Sequence, residues 1–498
     1  MMRAPSARRR ALVCALLPAL GACQRSPGAR SSLPPLELEG GGVKLSRIAA
    51  GQMPRGAALR GRAGDFLVES ARLKLVVGAE AQGAAAELGR GAVLDLTPDS
   101  WREDGLEQLS VVAHVEGRDA RLVVRKVEAA QTGEVPLVRV LHETRDGRLL
   151  VSTEIRSVPG APYVELVSKL ENRSGAALAV RVGERVRFSR EPIYAERLGE
   201  VAERARASLS WFASGTSRAS WGMIYPDGPV DVVFDARTHE PKAQLALSPE
   251  KMLAAGAVLQ HRRMLSALPG DIAGIAALSW RSSGVALGYV EGALDPPPKW
   301  ATIEARTDRG EWLLQTFVAA NGRFRLALPE GTQHLRLRAP GGSDEETVKV
   351  SAGAAAPVHL LVPAARRLVY RVLEGTEPIP ARLVIRGIPP TADPELGPPH
   401  SSAGAGNVTY TAHGAGGVEL PPGRYRVLAT RGVEYTIAQK EIDVTAQQGE
   451  SARFQLSRVV NTRDWLACDF HLHADPSGDS EVPLPDRITS LLAEGIEY

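Results

Sequence analysis

The chain has 498 residues, 44% of them hydrophobic, which is enough for two to four domains of about 100–200 residues each. Lys and Arg number 60 against 57 Asp and Glu, giving a net charge of +3, and Arg3, Arg8, Arg9 and Arg10 account for part of that excess. The remainder is nearly neutral, so the composition excludes the basic footprint of a protein that binds nucleic acid.

Residues 1–23 have the pattern of an export signal. An arginine-rich start precedes an apolar run at residues 11–19, which is too short to cross a membrane as a helix. The ending Leu20-Gly21-Ala22-Cys23 resembles the bacterial lipobox, in which the cysteine is lipidated and becomes the new N-terminus. This resemblance implies an exported protein anchored to a membrane through Cys23, with Gln24 favouring the outer membrane, on its periplasmic or cell-surface face. A soluble periplasmic protein with an incidental Cys23 is the alternative.

Residues 24–41 are rich in Ser, Pro, Gly and Arg and lack an apolar period, which predicts a flexible tether. Of the three cysteines, Cys14 and Cys23 lie before this tether, and Cys468 is alone in the rest of the sequence. No intramolecular disulfide framework is therefore expected. We expect Cys468 to pack as a small hydrophobic side chain.

Residues 42–292 are predicted to form one large antiparallel β-sandwich. Apolar and polar residues alternate along runs separated by turn residues, for example at 72–77, 109–115 and 149–155. Residues 166–175, a strand ending in Glu-Asn-Arg-Ser-Gly, resemble a segment of the mutarotase-like supersandwich domains that often accompany carbohydrate enzymes. The histidines of this region have no ligand spacing, and we interpret them as ordinary strand or surface residues: His114, His142, His239 and His261.

A proline cluster at residues 296–298 marks a boundary, after which two small β-sandwich modules are predicted at residues 300–363 and 366–458. Pro421-Pro422-Gly423 followed by an amphipathic strand resembles the prealbumin-like modules of carboxypeptidase regulatory domains. That resemblance implies a spacer or a binding surface. Residues 388–407 are rich in Pro, Gly and Ser and predict a long mobile loop.

The last segment, residues 464–498, contains the residues best suited to chemistry. On a predicted buried strand, side chains alternate faces, so His471 and His473 point one way while Phe470 and Leu472 point into the opposite layer. Two neighbouring imidazoles suit a divalent metal such as Zn, Mn or Fe. The same spacing also occurs on ordinary protein surfaces, so it leaves a structural interpretation open.

A helix is predicted to follow this strand. Pro485 in its first turn and Asp486 beside it are favourable to a helix start. Apolar residues fall on one face, and Gly495 ends the helix.

The sequence Asp469-Phe470-His471-Leu472-His473, with Asp475-Pro476-Ser477 and Asp479-Ser480 after it, resembles the opening of the PHP (polymerase and histidinol phosphatase) superfamily. The closest likeness is to its carbaryl-hydrolase-like branch. The resemblance implies a distorted α/β barrel whose first strand supplies His471 and His473 as metal ligands, with later strands supplying the others. In that family a second strand with an Asp-His motif follows, whereas this sequence stops at Tyr498. We therefore expect a truncated barrel and an incomplete metal site in this chain.

Two hypotheses follow. The first is an exported metal-dependent hydrolase that cleaves an ester, amide or phosphoester bond of a small molecule or glycan. Asp469 would orient an imidazole from behind, and Asp475 and Asp479 would either contact substrate or serve as turn residues. The second is a surface lipoprotein without enzymatic activity whose β domains bind glycans or protein partners. Family analogy indicates a reaction class and no particular substrate.

Overall fold

The computed structural model describes residues 2–3, 36–49, 60–79, 89–98, 105–188, 192–201, 204–234, 243–397, 401–445, 450–474, 480 and 482–498. This part of the chain is mainly β, as the alternation of apolar and polar residues predicts, and it contains two helices, α1 (Ala273–Ser282) and α2 (Leu484–Ala493). A first short strand is β1 (Met2–Arg3). Neither of the two helices is long and apolar enough to cross a membrane. Cys23, the predicted lipidation site, lies outside the described residues.

The large domain is an antiparallel β-sandwich of two sheets. Its strands, in chain order, are β2 (Glu37–Gly40), β3 (Val43–Arg47), β4 (Phe66–Ser70), β5 (Leu73–Val77), β6 (Val93–Pro98), β7 (Leu106–Val115), β8 (Arg118–Asp119), β9 (Leu122–Thr132), β10 (Val135–Thr144), β11 (Leu149–Ser157), β12 (Tyr163–Asn172), β13 (Leu178–Phe188), β14 (Ile193–Ala195), β15 (Gly199–Glu200), β16 (Ala205–Leu209), β17 (Trp211–Gly215), β18 (Ala219–Ile224), β19 (Val230–Phe234), β20 (Ala243–Leu247), β21 (Lys251–Leu253) and β22 (Val258–Pro269).

The first sheet has the spatial order β15-β14-β17-β18-β22-β12-β11-β10-β9, and the second has the order β16-β19-β20-β13-β7-β6-β5-β4-β3-β2, with β21 beside β13 and β8 beside β7. Inward-facing residues of both sheets form a large apolar cluster, in which Trp221 is fully buried, and a smaller second cluster. The indole Nε1 of Trp221 donates to the carbonyl of Leu96 on the other sheet at 2.7 Å. A Cβ atom on Gly105 would lie 2.3 Å from the Trp221 ring, so the core admits only glycine there.

A charged network is buried between these sheets. Glu184 on β13 and Arg263 on β22 are both fully buried, and Arg263 Nε donates to Glu184 Oε2 at 2.9 Å. Tyr225 donates its hydroxyl to the other oxygen of Glu184, and Arg263 also donates to Ser168 Oγ at 2.9 Å. Burial raises the pKa of Glu184, against the lowering effects of Arg263 and Tyr225. The network joins the two sheets through hydrogen bonds that satisfy most of its buried polar atoms.

The start of the large domain lies further upstream than the sequence predicts. Residues 37–40, which fall within the predicted 24–41 tether, form β2 and pair antiparallel with β3. The Gly41–Gly42 turn explains the difference, because both glycines have positive φ, 58° and 76°, as a tight two-residue hairpin requires. Leu36 and Leu38 pack against the sandwich core. The tether prediction is therefore wrong for these residues.

The first small module has two sheets. Its strands are β23 (Leu287–Ala293), β24 (Thr302–Thr307), β25 (Trp312–Phe317), β26 (Arg323–Pro329), β27 (Gly331–Ala339), β28 (Gly342–Val350) and β29 (Ala355–Pro357), in the orders β26-β23-β29 and β25-β24-β27-β28. The predicted large-domain limit of 292 is corrected here, because β23 pairs with β26 and so belongs to this module.

The large domain and the first module share a hydrophobic cluster. Trp312 stacks on Tyr194 with a centroid distance of 6.0 Å and lies 6.1 Å from Trp211. Helix α1, which the sequence analysis did not predict, packs in the same cluster. Asp271 before the helix accepts hydrogen bonds from Thr316 Oγ1 and Phe317 N, both at 2.7 Å. These contacts fix the first module against the sandwich.

The second small module also has two sheets. Its strands are β30 (Arg366–Glu374), β31 (Glu377–Pro378), β32 (Ala381–Gly387), β33 (Val408–Thr411), β34 (Ala415–Leu420), β35 (Gly423–Thr430), β36 (Ala438–Val444) and β37 (Glu450–Gln455). Their orders are β31-β30-β34, with β37 beside β30, and β33-β32-β35-β36. Several hydrogen bonds hold the described part of the predicted mobile loop, among them those from Leu396 N to Gly406 O at 2.6 Å and from Trp300 Nε1 to Leu396 O at 3.1 Å.

Candidate functional site

The His-x-His segment follows a short strand, β38 (Trp465–Leu466), which pairs with β1. Beyond Leu466 the backbone begins a second pairing. Ala467 O accepts from Glu497 N at 2.8 Å and Tyr498 N at 3.1 Å, and Asp469 N donates to Tyr498 O at 2.9 Å. This slanted pattern is that of parallel strands, and helix α2 lies between the two segments in sequence. The described residues 465–474 and 482–498 therefore place a strand-like segment and a helix together, with the last residues of the chain beside the segment that holds the histidines.

The two histidine rings of this unit point in the same direction, as the predicted alternation requires. His471 Nε2 and His473 Nε2 are 2.9 Å apart, and the ring centroids are 4.9 Å apart at an interplanar angle of 32°. Both residues are exposed or partly exposed. The geometry places two imidazole nitrogens next to each other at the surface.

The apolar side of this segment differs from the prediction of a buried strand. Regular strand structure ends at Leu466, and Phe470 is 74% exposed and Leu472 44% exposed. Phe470 instead makes an edge-to-face contact with Tyr498, with centroids 6.2 Å apart. Within the described chain no second layer packs over Phe470 and Leu472. The histidines and these apolar side chains still lie on opposite faces of the segment, but the apolar face is not buried.

Two side chains hold the backbone of the histidine pair. Asp469 Oδ1 accepts from the His471 backbone N–H at 3.0 Å, and Arg487 Nε donates to His473 O at 2.8 Å. Asp469 was expected to orient an imidazole ring, whereas its observed bond is to the backbone. Arg487 belongs to the segment Pro485-Asp486-Arg487, which also resembles the PHP opening, but its contact with His473 was not predicted. Asp475 and Asp479 lie outside the described residues.

The histidine pair fits a divalent cation as two of its ligands. Nitrogen ligands at 2.0–2.1 Å from one ion are about 2.9 Å apart at right angles and about 3.4 Å apart in a tetrahedral site. The observed 2.9 Å Nε2–Nε2 separation equals the first value, and it is also the length of a direct hydrogen bond in which one ring donates to the other. Among the residues that the structure describes, no group of three or more His, Cys, Asp or Glu side chains forms a complete site.

Helix α2 docks on the second module with an apolar face pointing outward. On that face Leu484, Ile488 and Leu492 lie one turn apart and are 40–52% exposed. The opposite side carries Asp486 and Glu494, and both bond to residues of the second module. The helix is therefore held by polar contacts and leaves an apolar stripe uncovered within the described chain.

Cys468 lies next to this pair and is partly buried, with Sγ 3.7 Å from Leu466 O. Its neighbourhood agrees with a packing role.

Burial lowers the pKa of His142 to about 4 and that of His261 to about 3, and it also lowers the pKa of His114. Their strand positions agree with the structural interpretation, while His239 lies outside the described residues.

A depression of about 590 Å³ on the first module offers a second candidate site. Its lining comes from strands β23 and β26 and includes Glu291, Arg323 and Arg325. The guanidinium of Arg325 lies over the ring of Tyr289, 4.3 Å from its centroid. An aromatic ring beside charged groups is a common feature of polar-ligand surfaces.

No protein-family profile and no curated protein sequence matches this chain. Solved structures with similarity include the Slr1438 protein from Synechocystis sp. PCC 6803, with 8% identity, 42% of this chain and 96% of that chain covered, and a TM-score of 0.31. A galactose mutarotase related enzyme from Lactobacillus acidophilus has 8% identity, coverages of 41% and 97%, and a TM-score of 0.30. Shaft pilin SpaA from Lactobacillus rhamnosus GG has 11% identity, coverages of 35% and 100%, and a TM-score of 0.23. These similarities assign neither a family nor a function.

Proposed function

We propose that the unit at residues 465–498 contributes to the active site of a metal-dependent hydrolase of the PHP type, with an ester, amide or phosphoester as substrate. The observation that carries the proposal is the 2.9 Å separation of the His471 and His473 ring nitrogens on one exposed side of the segment. The β-loop-α arrangement with parallel backbone pairing supports it, because such units build α/β barrels.

The chain's own residues have defined tasks in this proposal. His471 and His473 would present ring nitrogens as ligands for Zn, Mn or Fe, and the hydrogen bonds from Arg487 and to Asp469 limit how far their backbone can turn. When bound, a divalent cation supplies Lewis acidity that activates water and polarises the scissile bond. His471 is exposed and His473 is partly exposed, so a substrate could reach this position from the His471 side.

The test is metal analysis on the full chain. We expect the wild-type chain to bind added divalent metal through its two histidines, and the variant His471→Ala with His473→Ala to lose that binding. His413→Ala is the matched control, because His413 is an exposed histidine of the second module far along the sequence from the pair. Unchanged metal content in the double variant would refute the assignment.

We also propose that the protein is exported and anchored to a membrane through a lipidated Cys23, with the outer membrane favoured. Support comes from the sequence alone, in the arginine-rich start, short apolar run and lipobox-like ending of residues 1–23. Incorporation of radiolabelled palmitate into the wild type, and its loss in Cys23→Ser, would support the anchor. Equal incorporation by both proteins would exclude it.

The alternative function, glycan binding by the β domains, is favoured by one observation. The lining of the first-module depression includes Glu291, Arg323 and Arg325, charged groups that can hydrogen-bond to the hydroxyls of a sugar. Glycan binding by the wild type that is lost in Arg323→Ala and kept in His471→Ala would favour this function over hydrolysis.

A further inference from the structure

We propose that the second small module positions the His471–His473 pair through helix α2, so that module residues 39 or more positions upstream set the affinity of the pair for a divalent cation. This inference rests on the proposed function, because it concerns the same two histidines. It gives the second module a role beyond that of a spacer.

The first contact holds the start of the helix. Asp486 Oδ1 accepts from Ser402 Oγ at 2.8 Å, and Asp486 Oδ2 accepts from Ser402 N at 3.0 Å. The two residues are 84 positions apart, and both are partly buried. Because a carboxylate that accepts two hydrogen bonds is held in one orientation, this contact fixes the first turn of α2 on the loop before β33.

The second contact holds the other end. Glu494 Oε1 lies 2.7 Å from Arg382 Nη1 on β32, and the backbone of Glu494 lies against Gly432. A Cβ atom added to Gly432 would be 2.2 Å from Glu494 O, so only glycine allows this close approach. A ten-residue helix spans about 15 Å, and contacts at both ends fix its direction as well as its position.

The helix passes this constraint to the histidines through one arginine. Arg487 follows Asp486 in the first turn, and its Nε donates to the carbonyl of His473 at 2.8 Å. The His473 ring in turn lies 2.9 Å from that of His471. Three steps therefore join Ser402 to the ligand pair. Groups that orient metal ligands from behind commonly change metal affinity by about 10–100-fold when removed.

Gly432→Ala tests the close approach, and Gly375→Ala is its matched control. Both glycines belong to the second module and have similar positive φ, 57° and 59°, but nothing lies within 4 Å of a Cβ atom on Gly375. Both substitutions, Gly432→Ala and Gly375→Ala, therefore introduce similar backbone strain. Only Gly432→Ala also displaces the helix. A charge exchange of Arg382→Glu with Glu494→Arg tests the ion pair by rescue, since each single variant breaks it and the double variant restores opposite charges.

The measurements are Co²⁺ affinity of the full chain, followed by the visible absorption of the ion, and amide hydrogen exchange of α2 in the metal-free protein. We expect Gly432→Ala and each single charge variant to weaken Co²⁺ binding about tenfold and to speed exchange in α2 about tenfold, with Gly375→Ala and the charge exchange near wild type.

Failure of wild-type Co²⁺ binding would refute the proposed function and this inference with it. Wild-type binding that stays equal in all variants would overturn the inference alone, whether or not exchange in α2 becomes faster. Faster exchange with unchanged binding would show that the module holds the helix but does not position the histidines.

Discussion

Replacement of Arg263 by methionine tests the buried charge network at the centre of the large sandwich. Arg263 and Glu184 are both fully buried, and their 2.9 Å contact joins the two sheets. Methionine fills similar volume but leaves the Glu184 carboxylate with only the Tyr225 hydroxyl as partner. Breaking a buried ion pair from one side costs about 3–5 kcal/mol, a large part of a typical domain stability of about 5–15 kcal/mol.

The matched variants separate the ion pair from packing. Glu184→Gln alone leaves Arg263 as an uncompensated buried cation, with a comparable expected cost of about 3–5 kcal/mol. The double variant removes both charges and keeps an acceptor for Tyr225. We expect it to be more stable than either single variant, with a loss of about 1–2 kcal/mol from the leftover amide donor.

Urea unfolding of the large domain, followed by the fluorescence of buried tryptophans such as Trp221, measures all three variants. Burial already raises the pKa of Glu184, and loss of Arg263 removes the group that lowers it most. A raised pKa means that folding favours the protonated carboxyl of Glu184. The loss of stability in Arg263→Met should therefore shrink as the pH falls below the pKa of Glu184 in the folded variant. A double variant whose loss equals the sum of the single losses would refute the reasoning.

Three further predictions concern the described core and helix. Burial lowers the pKa of His142 to about 4, so between pH 4 and 6.5 this side chain is neutral in the folded protein and protonated in the unfolded one. The wild type should therefore lose up to roughly 3 kcal/mol of stability as the pH falls through this window, and His142→Leu should abolish that loss. Parallel pH titrations of the unfolding free energy check it. Gly105→Ala should lower the free energy of unfolding by about 1–3 kcal/mol, because the new Cβ meets the fully buried Trp221 ring, and an unchanged urea midpoint would contradict this. Ile488→Ser should change stability by less than about 0.5 kcal/mol because its side chain is 48% exposed, and a larger loss by the same urea assay would mean that the apolar stripe of α2 is covered.

Apolar and polar alternation and turn residues predict the strands well where neighbours in sequence are enough to determine the local structure. Alternation at residues 424–430 predicts β35 (Gly423–Thr430), and Asn321-Gly322 predicts the turn before β26, in which Gly322 has a φ of 79°. The common direction of His471 and His473 follows from the same alternation. These features depend only on neighbours in sequence.

Features that depend on distant partners could not be predicted in this way. The pairing of β23 with β26, the bond between Ser402 and Asp486, and the outward apolar face of α2 all depend on which surfaces meet. Helix α1 was missed for another reason: residues such as Ile275 and Trp280 are buried on several of its sides, so an amphipathic period is weak. Gly41 was predicted to be the last residue of the tether because its positive φ is visible only in the folded chain.

The central claim is that His471 and His473 bind one divalent ion together. X-ray absorption spectroscopy of the full chain loaded with one equivalent of Zn²⁺ or Co²⁺ counts the imidazole groups around the metal. The 2.9 Å separation of the two ring nitrogens predicts two imidazoles on one ion in the wild type and fewer in His471→Ala or His473→Ala. An ion with no imidazole, or the same number in the wild type and both variants, would contradict the account.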